Sequence, residues 1–107
     1  MIVEYRAYTL NTGTVPLFLK LFEEKGVIIQ KRILGNFIGM FRQDFGNPNQ
    51  VIHLWGYSDL LDRERRRTEC ASDPDFKAYV KEARDFIAEQ EVRLLIPTAS
   101  TPDLSQL

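Results

Sequence analysis

Apolar residues along this chain follow two periodicities, and a period of two marks four segments as strands. Apolar and polar positions alternate, with many β-branched and aromatic residues, in residues 2–10, 36–44, 50–57 and 91–97. The odd positions of the third segment share one face, which carries Val51, His53, Trp55 and Tyr57. The even positions place Ile52 and Leu54 on the other face. We therefore expect both faces of this strand to be largely covered.

The first helical segment lies between the first two strands. Thr14 is the predicted N-cap, and Pro16 lies in the first turn, where a missing backbone N–H costs little. Gly35 ends the segment, and Gly26 either interrupts the helix or only weakens it. The apolar residues that recur at helical spacing are Val15, Phe18, Leu19, Phe22 and Ile29.

Two further helices are predicted between the third and fourth strands. The first follows Ser58 and Asp59 and carries the charged run 62–67. The second has Ser72 or Asp73 as its cap, followed by a proline in its first turn. Its apolar stripe is the clearest of the chain and consists of Phe76, Tyr79, Val80, Ala83, Phe86 and Ile87.

The order of elements is βαβ followed by βαβ, with the second and third strands joined as a hairpin through a turn at 45–49. This order predicts a ferredoxin-like α+β unit, in which an antiparallel sheet carries helices on one face. Gly39, in the middle of the second strand, indicates a bulge or a close approach by another group. Strict alternation in that strand places Phe37 and Phe41 opposite Ile38 and Met40.

The predicted sheet has one uncovered face. Apolar residues lie on both sides of the hairpin, and they include Phe37, Phe41, Ile52 and Leu54. One chain cannot cover both sides, and a second copy is the economical cover. We therefore expect a homodimer that forms through the sheet faces, a dimeric α/β barrel.

Length and charge narrow the class of protein. A chain of 107 residues forms a single domain, here 1–97, followed by a polar tail at 98–107. A net charge of -1 provides no general attraction to nucleic acid or to an anionic membrane. The N-terminus lacks the apolar core of a signal peptide, and no apolar run approaches the ~20 residues of a membrane span. The single cysteine, Cys70, fits a reducing compartment, so we expect a cytoplasmic protein.

The only histidine lies in the middle of the third strand. His53 alternates with Trp55 and Tyr57, and such a cluster can line a pocket, hydrogen-bond a substrate or supply an axial ligand to haem. The alternative is a partly buried histidine whose partners are backbone groups or a carboxylate. No second ligand stands at metal spacing, so the sequence predicts no metal and no cofactor.

The helix after this strand holds four arginines between residues 63 and 67. These arginines can bind a phosphate or carboxylate through bidentate hydrogen bonds. Alternatively, Asp62 pairs with Arg66 and Arg65 with Glu69 at i,i+4, which leaves a solvated or interface surface with one arginine turned towards the sheet.

Glu4 and Arg6 lie on one face of the first strand, where they can share partners on a neighbouring strand. Glu4 is a candidate base on this ground alone. No glycine-rich turn with a lysine precedes a helix, and no Ser-His-Asp or Cys-His pattern is readable. The catalytic residues, if there are any, are therefore left unassigned.

Several segments together resemble the NIPSNAP family. They are residues 3–10 with Gly13, the hairpin at 35–46, residues 53–57, Asp62, Arg63, Arg66, Arg67, Asp73 and Pro74, and the closing Ile96, Pro97 and Thr98. The resemblance covers nearly the whole chain and is most specific from His53 to Arg67. It implies a dimeric α/β-barrel fold, whose relatives include cofactor-free monooxygenases of aromatic polyketides and haem-degrading monooxygenases. It implies no agreed reaction, since fold alone does not transfer chemistry.

Two functions are compatible with these patterns. The first is a small-molecule pocket between sheet and helices, with an oxygenase-like enzyme as its sharper form. The predicted pocket residues are Tyr5, Arg6, His53, Trp55, Tyr57, Arg63 and Arg67. The second is a non-catalytic binding or scaffold protein, in which these residues are packing and the charged helix is a partner surface. A buried apolar pocket of ligand size favours the first, and a filled core favours the second.

Overall fold

The computed structural model describes residues 1–105, so the last two residues of the predicted tail lie outside the described part. A π-helical turn (Phe22–Gly26) joins the first two helices, and a 3₁₀ turn (Arg84–Phe86) precedes the last strand. The strands and helices, in chain order, are β1 (Ile2–Leu10), α1 (Val15–Leu21), α2 (Val27–Leu34), β2 (Asn36–Arg42), β3 (Gln50–Tyr57), α3 (Leu60–Ser72), α4 (Pro74–Ala83) and β4 (Ile87–Leu95).

The strands form one antiparallel sheet in the order β2-β3-β1-β4, with the helices on one face. The predicted ferredoxin-like α+β fold is therefore confirmed. In the centre of the sheet Arg6 pairs with His53 and Glu4 pairs with Trp55, and these four side chains face the helices. The two central strands thus bring the polar residues of β1 against the aromatic cluster of β3.

The bulge predicted in β2 is present and changes which residues share a face. Phe37 pairs with Trp55, but Gly39 already pairs with Leu54, so one extra residue is inserted between them. Phe37 consequently packs on Trp55 with ring centroids 4.8 Å apart, whereas Phe41 lies on the open face of the sheet. The prediction that Phe37 and Phe41 share a face is wrong, because strict alternation fails at the bulge.

The helical path continues through Gly26, where a π-helical turn links α1 to α2. A Cβ atom at Gly26 would lie 2.5 Å from Cζ of Tyr79, so the close approach of this helix to α4 requires glycine. Gly35 ends α2 with a φ of 88°, as predicted for the end of the segment. Gly26 therefore lies within a continuous helical path, and its lack of a side chain allows this helix to pack closely against α4.

Side chains fix the starts of the helices after β3. Asp59 accepts a hydrogen bond from the backbone N–H of Asp62, and Asp73 accepts from those of Asp75 and Phe76. The choice between Ser72 and Asp73 as the cap of α4 is thereby settled. At α1, Thr14 occupies the N-cap position, but its hydroxyl donates to the carbonyl of Asn11.

The last strand begins and ends earlier than predicted. The 3₁₀ turn ends the helical stripe, and Ile87 already pairs with Leu10 as the first residue of β4, not at residue 91. β4 then ends at Leu95 and not at residue 97, just as β2 ends at Arg42 and not at residue 44. Glu89 and Gln90 pair with β1 although both are polar, and Ala88 lies at an irregularity in the register, so the local sequence pattern concealed the start of the strand.

The face of the sheet away from the helices exposes large apolar side chains. Phe41 is 53% exposed and Leu95 is 41% exposed, and Tyr5, Ile52 and Leu54 are partly exposed beside them. Within residues 1–105, no helix is long and apolar enough to cross a membrane.

Candidate functional site

A cavity of about 450 Å³ lies between the helix-facing side of the sheet and the helices, a volume in the range of small-molecule sites. The sheet contributes polar and aromatic side chains, the helices contribute mostly aromatic ones, and the start of β4 lies at the mouth. The lining residues are Arg6, Tyr8, Phe18, Phe22, Gln30, His53, Arg67, Phe76, Tyr79, Val80, Ala83, Arg84, Ile87, Ala88, Glu89 and Gln90.

His53 forms part of the cavity wall and is only 1% exposed. Its ring lies 5.1 Å from that of Tyr8 and 5.7 Å from that of Phe22, measured between centroids. The indole Nε1–H of Trp55 donates to His53 Nδ1 at 2.8 Å. An indole nitrogen is only a donor, so Nδ1 must accept and the imidazole proton resides on Nε2.

The surroundings of His53 hold its imidazole neutral. Burial, with the positive charges of Arg6 and Arg67 in addition, lowers the pKa of His53 from 6.5 to about 3. The Nε2–H is buried and makes no hydrogen bond to any residue of the described chain. His53 thus offers a hydrogen-bond donor to the cavity and no lone pair, which suits an acceptor oxygen and does not suit coordination of haem iron.

The buried carboxylate of Glu4 lies beside this histidine and is surrounded by arginine side chains. Glu4 is fully buried, and Arg6 Nη1 lies 3.4 Å from its Oε1. Arg63, from α3, donates through Nε to Oε2 of Glu4, and Arg67 Nη1 lies 3.8 Å from Oε1. Two arginines of α3 therefore point inward, where one was anticipated. Glu4 does not line the cavity, so the structure favours charge pairing over a role as base.

The other two arginines of α3 have structural partners. Arg66 Nε donates to Asp62 at 2.9 Å, as predicted, and Arg66 Nη1 donates to the carbonyl of Ile33 at the end of α2, at 3.2 Å. Arg65 also binds Asp62, at 2.8 Å, in place of the predicted partner Glu69. These contacts attach α3 to α2 and leave Arg65 largely exposed.

The structure divides the predicted pocket residues into three groups. Arg6, His53 and Arg67 line the cavity. Trp55, Tyr57 and Arg63 lie on the same side of the sheet but outside the lining. Tyr5 lies on the opposite face of the sheet, with Arg93 over its ring at 5.8 Å, and so is not brought together with the other predicted pocket residues. The alternation that placed Glu4 beside Arg6 also excludes Tyr5.

Tyr57 carries a second buried polar atom near these charges. Its hydroxyl makes no hydrogen bond of normal geometry among residues 1–105, although the guanidinium of Arg67 is close enough to interact with it. Burial, followed by the nearby carboxylate of Glu4, raises the pKa of Tyr57 to about 12, against the opposing effect of Arg67. The phenol is therefore protonated at physiological pH.

The helices supply lining residues that the sequence did not assign to a site. Phe18, Phe22, Phe76 and Tyr79 belong to the apolar stripes of the predicted helices, which carry no indication of a site. Gln30 also lines the cavity and is buried, and a polar residue at a buried helical position requires a partner or a cavity, but its burial is visible only in the structure. Within residues 1–105, no group of three or more His, Cys, Asp or Glu is placed to hold a metal ion.

Comparison with known sequences gives a consistent family match. A family model described as NIPSNAP matches residues 3–102. Protein NipSnap homolog 2 of Homo sapiens is 31% identical over 102 residues, which are 94% of this chain and 35% of that protein. Protein NipSnap of Drosophila melanogaster is 30% identical over 101 residues, with 94% and 36% covered. The chain thus spans about a third of the length of these curated relatives.

Solved structures from bacteria match over nearly their whole length. A NIPSNAP family protein from Agrobacterium tumefaciens has a TM-score of 0.91 at 43% identity, with 94% of this chain and 88% of that chain covered. A second protein of that organism has a TM-score of 0.93 at 35% identity, with 95% and 98% covered. A putative antibiotic biosynthesis monooxygenase from Nitrosomonas europaea has a TM-score of 0.68 at 11% identity, with 91% and 98% covered, a likeness of fold alone.

Proposed function

This chain belongs to the NIPSNAP family, and we propose that it binds a small, largely apolar molecule in the cavity between its sheet and its helices. The observation that carries the proposal is the Nε2–H of His53, a buried donor in the cavity wall without an acceptor among the described residues. A buried donor left unpaired is costly, and an acceptor oxygen of a ligand would satisfy it. Tyr8, Phe18 and Phe22 provide aromatic contact area for the rest of the molecule.

An oxygenase-like activity is the enzymatic form of this proposal. A neutral imidazole N–H and a guanidinium at one end of an apolar cavity can stabilise negative charge that develops on a substrate oxygen. The similarity to a putative antibiotic biosynthesis monooxygenase concerns the fold and does not transfer a reaction. The alternative, a scaffold protein with a filled interior, is less well supported because the interior contains a cavity of about 450 Å³.

We also propose that two copies pair through their open sheet faces in the cytoplasm. The exposed Phe41 and Leu95 on that face support the pairing, because their burial removes apolar surface from water. Glu91 and Arg93 pair with each other on β4, so the face carries compensated charge and does not repel its copy. The single buried thiol of Cys70 suits a reducing compartment.

Filling the cavity tests the proposed function. Ala83 is buried in the wall, and Ala83→Leu places a larger side chain where a ligand would lie. We expect simple aromatic acids, amides and alcohols that bind the wild-type protein in ligand-observed NMR to bind Ala83→Leu at least about tenfold more weakly, because the leucine occupies volume that a ligand would fill and a loss of about 1.4 kcal/mol is a factor of ten in affinity.

The matched control for this test is Ala78→Leu, which makes the same change at an exposed position of the same helix. It is expected to bind like the wild-type protein. Equal binding to both variants would place the ligands elsewhere, and a panel without any binder would refute the pocket.

A further inference from the structure

We propose that the ligand of this cavity is a monoanion of the carboxylate class, whose oxygen atoms meet His53 and Arg67 while its apolar body contacts the aromatic walls. This inference rests on the proposed function and specifies its ligand. It is carried by the distribution of charge and of hydrogen-bond donors at the sheet end of the cavity.

The charges beside the cavity do not cancel. Three guanidinium groups, those of Arg6, Arg63 and Arg67, lie within 4 Å of the fully buried carboxylate of Glu4. Glu64 is a second acidic partner and lies 2.7 Å from Arg63. Three positive charges against two negative charges leave one positive charge. Buried charges are normally paired, so this excess favours one negative charge from a ligand.

The mouth of the cavity does not remove this excess. Arg84 and Glu89 both lie there, both are exposed, and their charges are opposite. Any effect of Glu89 on an incoming anion is thus balanced by Arg84 and weakened by solvent. The unbalanced charge remains at the inner end, beside β1 and α3.

The groups at that inner end are mostly donors. Arg67 Nη1 is buried, lies 3.8 Å from Glu4 Oε1 and makes no hydrogen bond of normal geometry within the described part of the chain, although the hydroxyl of Tyr57 is close enough to interact with Arg67. His53 presents its Nε2–H, and Arg6 and Arg67 are close enough to depress the pKa of His53. Tyr8 accepts from Arg6 Nε at 3.1 Å, which leaves its own hydroxyl hydrogen available to donate. A carboxylate, which only accepts, complements such a set.

The net charge and the lining of the cavity favour a carboxylate ligand over a phosphate ester. One excess positive charge matches a monoanion, whereas a phosphate monoester carries close to two negative charges at neutral pH. Phe18, Phe22 and Phe76 in the remaining wall desolvate an apolar body, and Arg84, the third arginine of the lining, is exposed and shares the lining with the opposite charge of Glu89. The expected ligand is therefore an acid on an aromatic or alicyclic body.

Matched acid and amide pairs test this inference. Benzoate, 3-phenylpropanoate and 2-naphthoate, each compared with its primary amide by calorimetric titration near neutral pH, differ in charge and hardly in shape. We expect the best acid to bind about tenfold or more tightly than its amide, the ratio typical of a charge-assisted hydrogen bond. A higher salt concentration should reduce the acid-to-amide affinity ratio only weakly, because salt screens a buried ion pair less than an exposed one.

Substitution of Arg67 identifies the origin of the preference. Arg67→Met should bring the acid-to-amide ratio close to one, and Arg67→Lys should retain part of it. Glu4 keeps Arg6 and Arg63 in both variants, so both should fold. Arg65→Met is the control, because Arg65 is 72% exposed and bound to Asp62; it should keep the wild-type ratio.

The outcomes separate this inference from the proposed function. Amides that bind as tightly as acids, with both weakened by Ala83→Leu, would overturn the anionic ligand and leave the pocket intact. An acid preference that survives Arg67→Met would also overturn it. Failure of every acid and every amide to bind would refute the pocket together with the inference.

Discussion

At the scale of single residues, the chemistry of His53 is decided by a neighbour two positions along the strand. Alternation predicts that His53 and Trp55 share a face, and the structure adds the hydrogen bond from the indole to Nδ1. Because the indole can only donate, this bond fixes the tautomer and turns the imidazole into a donor. The burial that holds it neutral comes from the helices, and the sequence of the strand does not specify that layer.

The depressed pKa of His53 predicts a pH dependence of stability. The unfolded imidazole takes up a proton below its ordinary pKa of 6.5, whereas the folded one resists protonation down to about 3. The stabilisation is present above pH 6.5 and is lost as the pH falls towards 3, by about 2 kcal/mol between pH 7 and pH 5. Urea unfolding at these two pH values measures it.

His53→Gln is the matched variant for this measurement, since the glutamine carbonyl can still accept from Trp55 while no group titrates. Its free energy of unfolding should change by about 2 kcal/mol less between pH 7 and pH 5 than that of the wild-type protein. Equal pH dependence of the two proteins would show that His53 is protonated in the folded state.

The arginines show a different limit of sequence reasoning. Residues 63 and 67 are four apart, so a helix places them on one face, and the sequence supports this grouping. The packing angle of α3 decides which face of the helix turns towards the sheet. The partner of the two arginines, Glu4, lies on a strand that is far away in sequence. The pairing of a buried carboxylate with these two arginines therefore could not be read from local spacing.

At the scale of elements, the sequence predicts all four strands, but it predicts the bounds and register of only the two central ones. β1 and β3 have the predicted bounds because their apolar alternation spans the whole strand. In β2 the bulge shifts the register, so Phe37 faces the core and Phe41 faces outward. In β4 the polar residues 89–91 belong to a strand whose position is set by pairing with β1. Cross-strand pairing overrides the local pattern at both places.

The open face of the sheet predicts a dimer. Burial of apolar area contributes about 25 cal/mol per Å², and a standard interface of roughly 800 Å² per partner can outweigh the cost of association. Sedimentation equilibrium at micromolar concentration should return twice the chain mass of 12.4 kDa. A stable, cooperatively folded monomer under these conditions would contradict the pairing.

Phe41→Glu locates the interface within this prediction. Phe41 lies on the open face, 53% exposed, and a carboxylate there should shift the equilibrium towards the monomer. The control is Phe45→Glu, because Phe45 is 93% exposed in the turn between β2 and β3, away from the sheet. A dimer that tolerates Phe41→Glu as well as Phe45→Glu would exclude the sheet face as the contact.

At the scale of the whole molecule, the fold follows from the order of elements but the cavity does not. The βαββαβ order restricts the topology strongly, because the connections fix which strands are neighbours. The cavity depends on how far the helices stand from the sheet. Its wall uses Phe22 in the π-helical turn and Tyr79, which packs over Gly26, and helical periodicity alone does not distinguish a cavity from a filled core. A stripe of aromatic residues has the same helical periodicity whether its side chains pack directly on the sheet or leave a cavity between helix and sheet.

The central claim is that this cavity is a binding site with His53 as a donor in its wall. The most direct measurement is a crystal structure of the protein grown with the tightest-binding aromatic acid. We predict electron density for the acid between the sheet and the helices, with an oxygen atom within hydrogen-bond distance of His53 Nε2. A cavity closed by its own aromatic side chains, with the acid bound elsewhere or absent, would contradict the claim.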